Sequence, residues 1–285
     1  MNYLKYIPDG FKRACGSWRW IVVTWLFTSL PVLLLTKSLR TILGRYFASS
    51  MITEKLDTGF NIDALINSGF DLRLVLSVLT GGFFLLVLII PLVYIFLSGG
   101  IFKTLGSGNS RKDAGVFFAG SATNFFTFLG INLVVLAIFA GLTSLYFGIP
   151  AAISGFSLSE SSVFGLLKYS GLLLFLTIPV ILLIVDFSRA WIVSGNERRV
   201  FKAVGNGFRL TFRSLPLSYI VMLLMVIVQV LYIFLVTRII SPIMPATPVM
   251  TFLLFLLSQI LFVIKIFLKT ARYGIVTAMF EGMKD

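Results

Sequence analysis

Residues 74–102 read LVLSVLTGGFFLLVLIIPLVYIFLSGGIF, 29 positions without Asp, Glu, Lys or Arg. An α-helix needs about 20 mostly apolar residues to cross the roughly 30 Å of hydrocarbon in a bilayer. A membrane strand instead alternates in polarity over about ten residues. This stretch is long enough and does not alternate, so it predicts a membrane-spanning helix.

The same kind of run recurs on both sides of it. Stretches free of charged side chains cover 20–36, 114–159, 169–185, 214–237 and 239–264. The longest is interrupted by Gly148, Pro150 and Gly155, which predict one span followed by a loop. The expected spans are about 20–38, 74–99, 122–147, 163–190, 215–238 and 249–275. Lys5, Lys12, Arg13 and Arg19 precede the first, as in a signal peptide. No small-x-small cleavage site closes it, so it is expected to stay as a span. The fold class is therefore all-α: a polytopic transmembrane bundle of about six helices, read as one membrane domain over 1–285.

Composition points the same way. Hydrophobic residues make up 58% of the chain and charged residues 12%, about half the charge of an ordinary soluble domain. The net charge is +13. In so apolar a chain that charge suits anionic phospholipid headgroups on the cytoplasmic side, not nucleic acid. Cys15 is the single cysteine, and there is no histidine. An internal disulfide is excluded, and the commonest neutral-pH acid/base and metal ligand is lacking.

Charge also orients the chain. With the N-terminus inside, the inner segments hold 17 Lys and Arg and the outer segments hold Lys37, Arg40, Arg45, Lys55, Arg73, Lys168 and Arg238. Cations are retained on the cytoplasmic side, so both termini are expected there.

Three stretches resemble one repeated unit, about 5–103, 110–192 and 194–280, each a short cytoplasmic helix followed by a two-span hairpin. Ser110-Arg-Lys-Asp113 and Ser194-Gly-Asn-Glu197 have the spacing of a capping box. Val116-Phe117 and Val200-Phe201 then follow at the same offset of 84 residues. The segment 198–213 is amphipathic. Val200, Phe201, Val204, Phe208 and Phe212 share one side, and Arg198, Arg199, Lys202, Arg209 and Arg213 lie opposite. Two readings stand equally: a helix lying among anionic headgroups, or a connector with a solvated basic face. A short helix is expected near 61–67 in the outer loop, a cap at Ser157–Glu160, and a stiff turn around Pro242, Pro245 and Pro248.

Candidate chemistry is sparse. Asp186 and Arg189 sit three residues apart near the inner end of the fourth span and can neutralise each other. An ion pair fixing the helix end is favoured over a relay or gate. Lys265, Lys269 and Arg272 form one stripe on the last span. Snorkelling anchors are favoured over a vestibule or an anionic-lipid contact. Asn132, Gln229 and Gln259 lie deep in spans, where amides usually bond between helices. Pro91 and Pro179 fall inside spans two and four. No catalytic or nucleotide-binding motif is present, so no enzyme activity, metal or cofactor is expected.

Ser98-Gly99-Gly100-Ile101, Asp186-Phe-Ser-Arg189-Ala190 and Arg199-Val-Phe-Lys-Ala203 together resemble the YciC-like six-span bacterial membrane proteins and the membrane domain of some glycerophosphodiester phosphodiesterases. That resemblance covers nearly the whole chain. It implies a bundle in the bacterial inner membrane and no reaction, because the fused enzymes carry catalysis in a separate soluble domain. A scaffold, assembly or lipid-interacting module is the favoured function, with a membrane protein or a second copy as further partners. A carrier of a small or amphiphilic molecule comes next; an intramembrane lipid-modifying enzyme comes last.

Overall fold

The computed structural model describes residues 5–47, 72–106, 113–153, 160–195, 197–243 and 247–283. Among the described residues the regular elements are α-helices, with no strand. They are α1 (Tyr6–Gly16), α2 (Trp18–Phe47), α3 (Leu72–Gly106), α4 (Ala114–Ile153), α5 (Glu160–Gly195), α6 (Val200–Ile240) and α7 (Pro248–Glu281). The six from α2 to α7 are each long and apolar enough to cross a membrane. Each expected span falls within one of them. The protein is an integral, multi-pass membrane protein.

The surface agrees with the solvent. Phe84 is 68% exposed, with Phe83 and Leu85 beside it; such a patch is stable against acyl chains and costly against water. In hydrocarbon every backbone polar group must find a partner inside the protein, and a helix provides that along its own length. Serine and threonine hydroxyls do the same by turning back onto their own helix. Thr28 donates to the Thr24 carbonyl at 2.7 Å and Thr177 to the Leu173 carbonyl at 2.8 Å.

Two compact units divide the chain, one comprising 1–22 with 95–285 and the other 23–94. The smaller unit holds most of α2 and the first two-thirds of α3, with Pro31 and Pro91 inside continuous helix. In the larger unit α5 is central, packing on α4, α6 and α7, and α1 lies along α7. The crossing of α3 with α4 is close because Gly99 and Gly100 carry no side chain. A Cβ on Gly100 would sit 2.6 Å from the Phe117 carbonyl oxygen. The Ser-Gly-Gly-Ile stretch is thus a helix contact, and Trp20 stacks on Phe117 beside it at 4.2 Å.

Several expectations are corrected. Gly148 and Pro150 do not open a loop; α4 runs through both to Ile153. Proline at 150 deprives the Tyr146 carbonyl of its helical donor. The Ser170 hydroxyl on α5 donates to that carbonyl at 2.7 Å, so tertiary contact supplies what the local sequence removes. Ser170→Ala is expected to lower stability by about 1–3 kcal/mol, the cost of a buried unmet carbonyl. Thermal unfolding in mild detergent would measure it, and an unchanged midpoint would refute the role.

Among the described residues neither the second unit nor the third has a separate short helix. In the second, α4 runs unbroken from Ala114 to Ile153. In the third, the amphipathic segment is the first part of the 41-residue α6, which at about 1.5 Å per residue is roughly 60 Å long, twice the hydrocarbon thickness. Nor does Ser194 cap it. That residue belongs to α5 and donates to the Trp191 carbonyl at 3.0 Å. Glu197 pairs with Lys202 instead. At α4 Asp113 acts at the helix start, accepting from the Gly115 amide at 2.8 Å. A separate leading helix does occur in the first unit, as α1. Pro248 opens α7, with Thr247 accepting from the Met250 amide. Ser110, the 61–67 segment, Ser157 and Pro245 lie outside the described residues.

A buried cationic cluster between α4, α5 and α7

Asp186 and Arg189 are one turn apart on α5, so they share a face. On α7, Lys269, Arg272 and Tyr273 share a face for the same reason. These two faces meet. Asp186 is 0% exposed, and Arg189 and Arg272 are 6% each. One Asp186 oxygen lies 3.5 Å from Arg189 Nη1, and the other lies 3.0 Å from Arg272 Nε. The carboxylate therefore joins two arginines from different helices. The favoured expectation of an interfacial pair on one helix misses Arg272. The pairing with Arg272 is one of charge, since Nε and Oδ2 are not aligned as a hydrogen bond.

Arg189 reaches further. Its Nη2 donates to Asn132 Oδ1 on α4 at 3.0 Å, and Nη1 donates to the Tyr273 hydroxyl at 3.4 Å. Asn132 is itself held by donation to the Phe128 carbonyl at 2.6 Å. The guanidinium lies over the Phe128 ring at 5.5 Å, and that of Arg272 lies over Tyr273 at 5.2 Å. Arg189 Nε is buried without a hydrogen-bond partner. Tyr273, Arg272, Arg189 and Asp186 are among the groups around Lys269. Two arginines thus share one carboxylate in a low-dielectric site, where unbalanced charge is costly.

Beside the cluster is a cavity of about 470 Å³, within the usual size range of ligand pockets. Asn132, Arg189, Lys269, Arg272 and Tyr273 form its polar part. Val135, Leu136 and Phe139 of α4 and Ile178, Ile181, Leu182 and Val185 of α5 form apolar walls. Ile178 is eleven residues from Arg189, so the walls run about 16 Å along α5. Leu136, on the rim, is 61% exposed. The chamber is amphiphilic: cations at one end, hydrocarbon along the rest, and a rim residue open to the surroundings.

The remaining candidates separate into two groups. Lys265 is exposed, apart from this cluster. Arg198, Arg199, Lys202, Arg209 and Arg213 are all exposed. Lys202 binds Glu197 at 2.8 Å. The phenylalanines of that segment do not form the buried face of α6. Ala203, Gly207, Thr211, Ser214 and Ser218 do. A Cβ on Gly207 would lie 2.6 Å from the Ile184 carbonyl, so only small residues admit α5 this closely. Phe201 and Phe212 remain 80% and 60% exposed. At about 100° per residue they fall between the small-residue stripe and the cations.

Asn132 bonds between helices, as its depth in the span suggested; Gln229 Nε2 is buried without a hydrogen-bond partner. Tyr273 had no sequence signal beyond its place four residues after Lys269. Among the described residues no group of three or more His, Cys, Asp or Glu is placed to hold a metal. Comparison with known proteins finds no matching family model, curated protein or solved structure.

Proposed function

We propose that this protein is a lipid-interacting membrane module that holds an anionic amphiphile in the α4–α5–α7 chamber. The observation that carries this reading is the joining of a buried, cation-rich cluster to an apolar cavity of about 470 Å³. A soluble anion would gain nothing from walls such as Leu136, Phe139 and Ile178. A neutral lipid would leave Arg189 and Arg272 sharing one carboxylate. An anionic headgroup with a hydrocarbon tail satisfies both ends.

The proposed setting is the bacterial cytoplasmic membrane with both termini inside. Six crossings return the chain to the side on which it started, and the excess of Lys and Arg selects the cytoplasmic side. The exposed cations and phenylalanines at the start of α6 then meet anionic headgroups at the same surface. The module role is favoured over that of a carrier because Gln229 does not line the chamber, whereas a polar path past it would serve transport.

Lipid extraction from the full chain, purified from native membranes in lipid-retaining nanodiscs, tests the reading. An anionic amphiphile is expected to be enriched several-fold over the bulk membrane, and Leu136→Trp, which fills the rim, is expected to remove the enrichment. Bulk lipid proportions in both proteins would refute it.

A further inference from the structure

We infer that the chamber takes its ligand sideways out of one leaflet, the one around the C-terminal end of α5, and holds it with its chain end at the bilayer midplane. The ligand is then a resident lipid of that leaflet, the cytoplasmic one in the proposed orientation, and not a lipid of the opposite leaflet. This rests on the chamber holding an anionic amphiphile, and adds where that amphiphile comes from and which way it points.

Depth carries the inference. Residues 169–185 of α5 include no charged side chain; Lys168 precedes them and Asp186 follows. That run rises about 26 Å, close to the roughly 30 Å of hydrocarbon. Lys168 and Asp186 therefore mark its two edges, and Thr177 its middle. The polar end of the chamber is at Arg189, and its wall residue furthest along α5 is Ile178. These two are about 16 Å apart, half of the hydrocarbon thickness. The walls start at one edge of the hydrocarbon and end at its middle, so they match a single leaflet.

The antiparallel α4 keeps the same order. Asn132 meets Arg189 at 3.0 Å at the polar end. Phe139, seven residues on, lines the apolar part, about 10 Å deeper. Past Ile178 the same two helices are tied together. The hydroxyls of Tyr146 and Thr177 lie 3.0 Å apart, and the Ser170 hydroxyl donates to the Tyr146 carbonyl at 2.7 Å. The lining stops where that tie begins.

Access is from the side. Leu136, on the rim between Asn132 and Phe139, is 61% exposed, and what surrounds it at that depth is acyl chain. A lipid entering from the same leaflet keeps its anionic group near headgroup level throughout. One from the opposite leaflet would carry that charge through hydrocarbon, which is costly.

Photolabelling of the full chain in nanodiscs of neutral phosphatidylcholine reads both depth and direction. The probes are two phosphatidylglycerols present as minor components. One has a diazirine near the glycerol end of a chain, the other near the terminal methyl. Residue-resolved mass spectrometry is expected to find the first around Asn132 and Val185 and the second around Phe139 and Ile178, each favouring its own set at least five-fold. Excess unlabelled phosphatidylglycerol and Leu136→Trp are each expected to lower both signals at least five-fold. Millimolar glycerophosphoglycerol, the same headgroup without tails, is expected to leave them in place.

Methyl-end labelling around Asn132 overturns the inferred direction. Competable labelling by the glycerol-end probe, with none by the methyl-end probe at Phe139 and Ile178, places the chain outside the walls; it overturns this inference and leaves an anionic site. Labelling that neither unlabelled lipid nor Leu136→Trp lowers overturns the chamber reading itself. Displacement by glycerophosphoglycerol overturns the lipid source. Ile181→Trp, part-way down the wall, is expected to remove methyl-end labelling and spare the glycerol-end signal, so the test stays decisive if Leu136→Trp fails to fold.

Discussion

Asp186→Asn is expected to destabilise the folded bundle by about 3–5 kcal/mol, the usual cost of leaving a buried charge without its partner. Asp186 is fully buried and stands between Arg189 and Arg272. Asparagine keeps the shape and removes the charge, so two arginines and Lys269 remain in one low-dielectric pocket. A surface pair would show no such effect, because water screens it. The double variant Asp186→Asn with Arg272→Met restores balance in part, and should regain a substantial share of the lost stability. Thermal unfolding of the four proteins of the cycle, in one detergent, separates coupling from simple damage. If Asp186→Asn melts within a degree of the original, the carboxylate is not the hub of the cluster.

Gly274→Leu should release α1 from the bundle. Here α1 and α7 cross with backbone against backbone. A Cβ on Gly274 would lie 2.7 Å from the Gly10 carbonyl oxygen and 3.1 Å from the Gly10 Cα. Neither atom can rotate away as a side-chain tip can, so the helix must shift. Overpacking of this kind costs about 1–3 kcal/mol, and local opening of α1 rises by roughly ten-fold for each 1.4 kcal/mol. The site of opening is readable, because α1 contains Lys12 and Arg13. Tryptic cleavage there, in the full chain in detergent, should quicken by about ten-fold or more. Arg13→Gln is the contrasting control. It removes a partly exposed pair with Glu281 and a bond to the Leu105 carbonyl, so it should loosen α1 much less. Unchanged cleavage in Gly274→Leu would mean that α1 is held by contacts other than this crossing, such as Phe11 against Phe267 at 5.9 Å.

Both expectations concern positions whose importance the linear pattern shows only in part. Asp186 and Arg189 were visible as a pair three residues apart, because helical spacing is a local property. Arg272 was visible as a cation near the end of a span, and snorkelling was the natural reading. Burial at 6% and a carboxylate at 3.0 Å come from α5, 86 positions earlier in the chain. No local rule links those two positions. Pro150 and the phenylalanines of α6 make the same point: each follows its ordinary preference until a neighbouring helix supplies Ser170, or asks for small residues such as Gly207.

The amino-acid order alone determined that this chain is helical, apolar and built to cross a bilayer about six times. Hydrocarbon accepts only backbones that satisfy themselves, and run length with sparse charge records that demand residue by residue. Tertiary structure alone decided that Asn132, Arg189, Lys269, Arg272 and Tyr273 line one chamber beside Asp186, and that α1 lies on α7. Those facts depend on which helix faces meet, and inside a membrane every outward face is apolar. The choice of neighbours falls instead to close backbone approach and to buried polar groups finding one another across the chain.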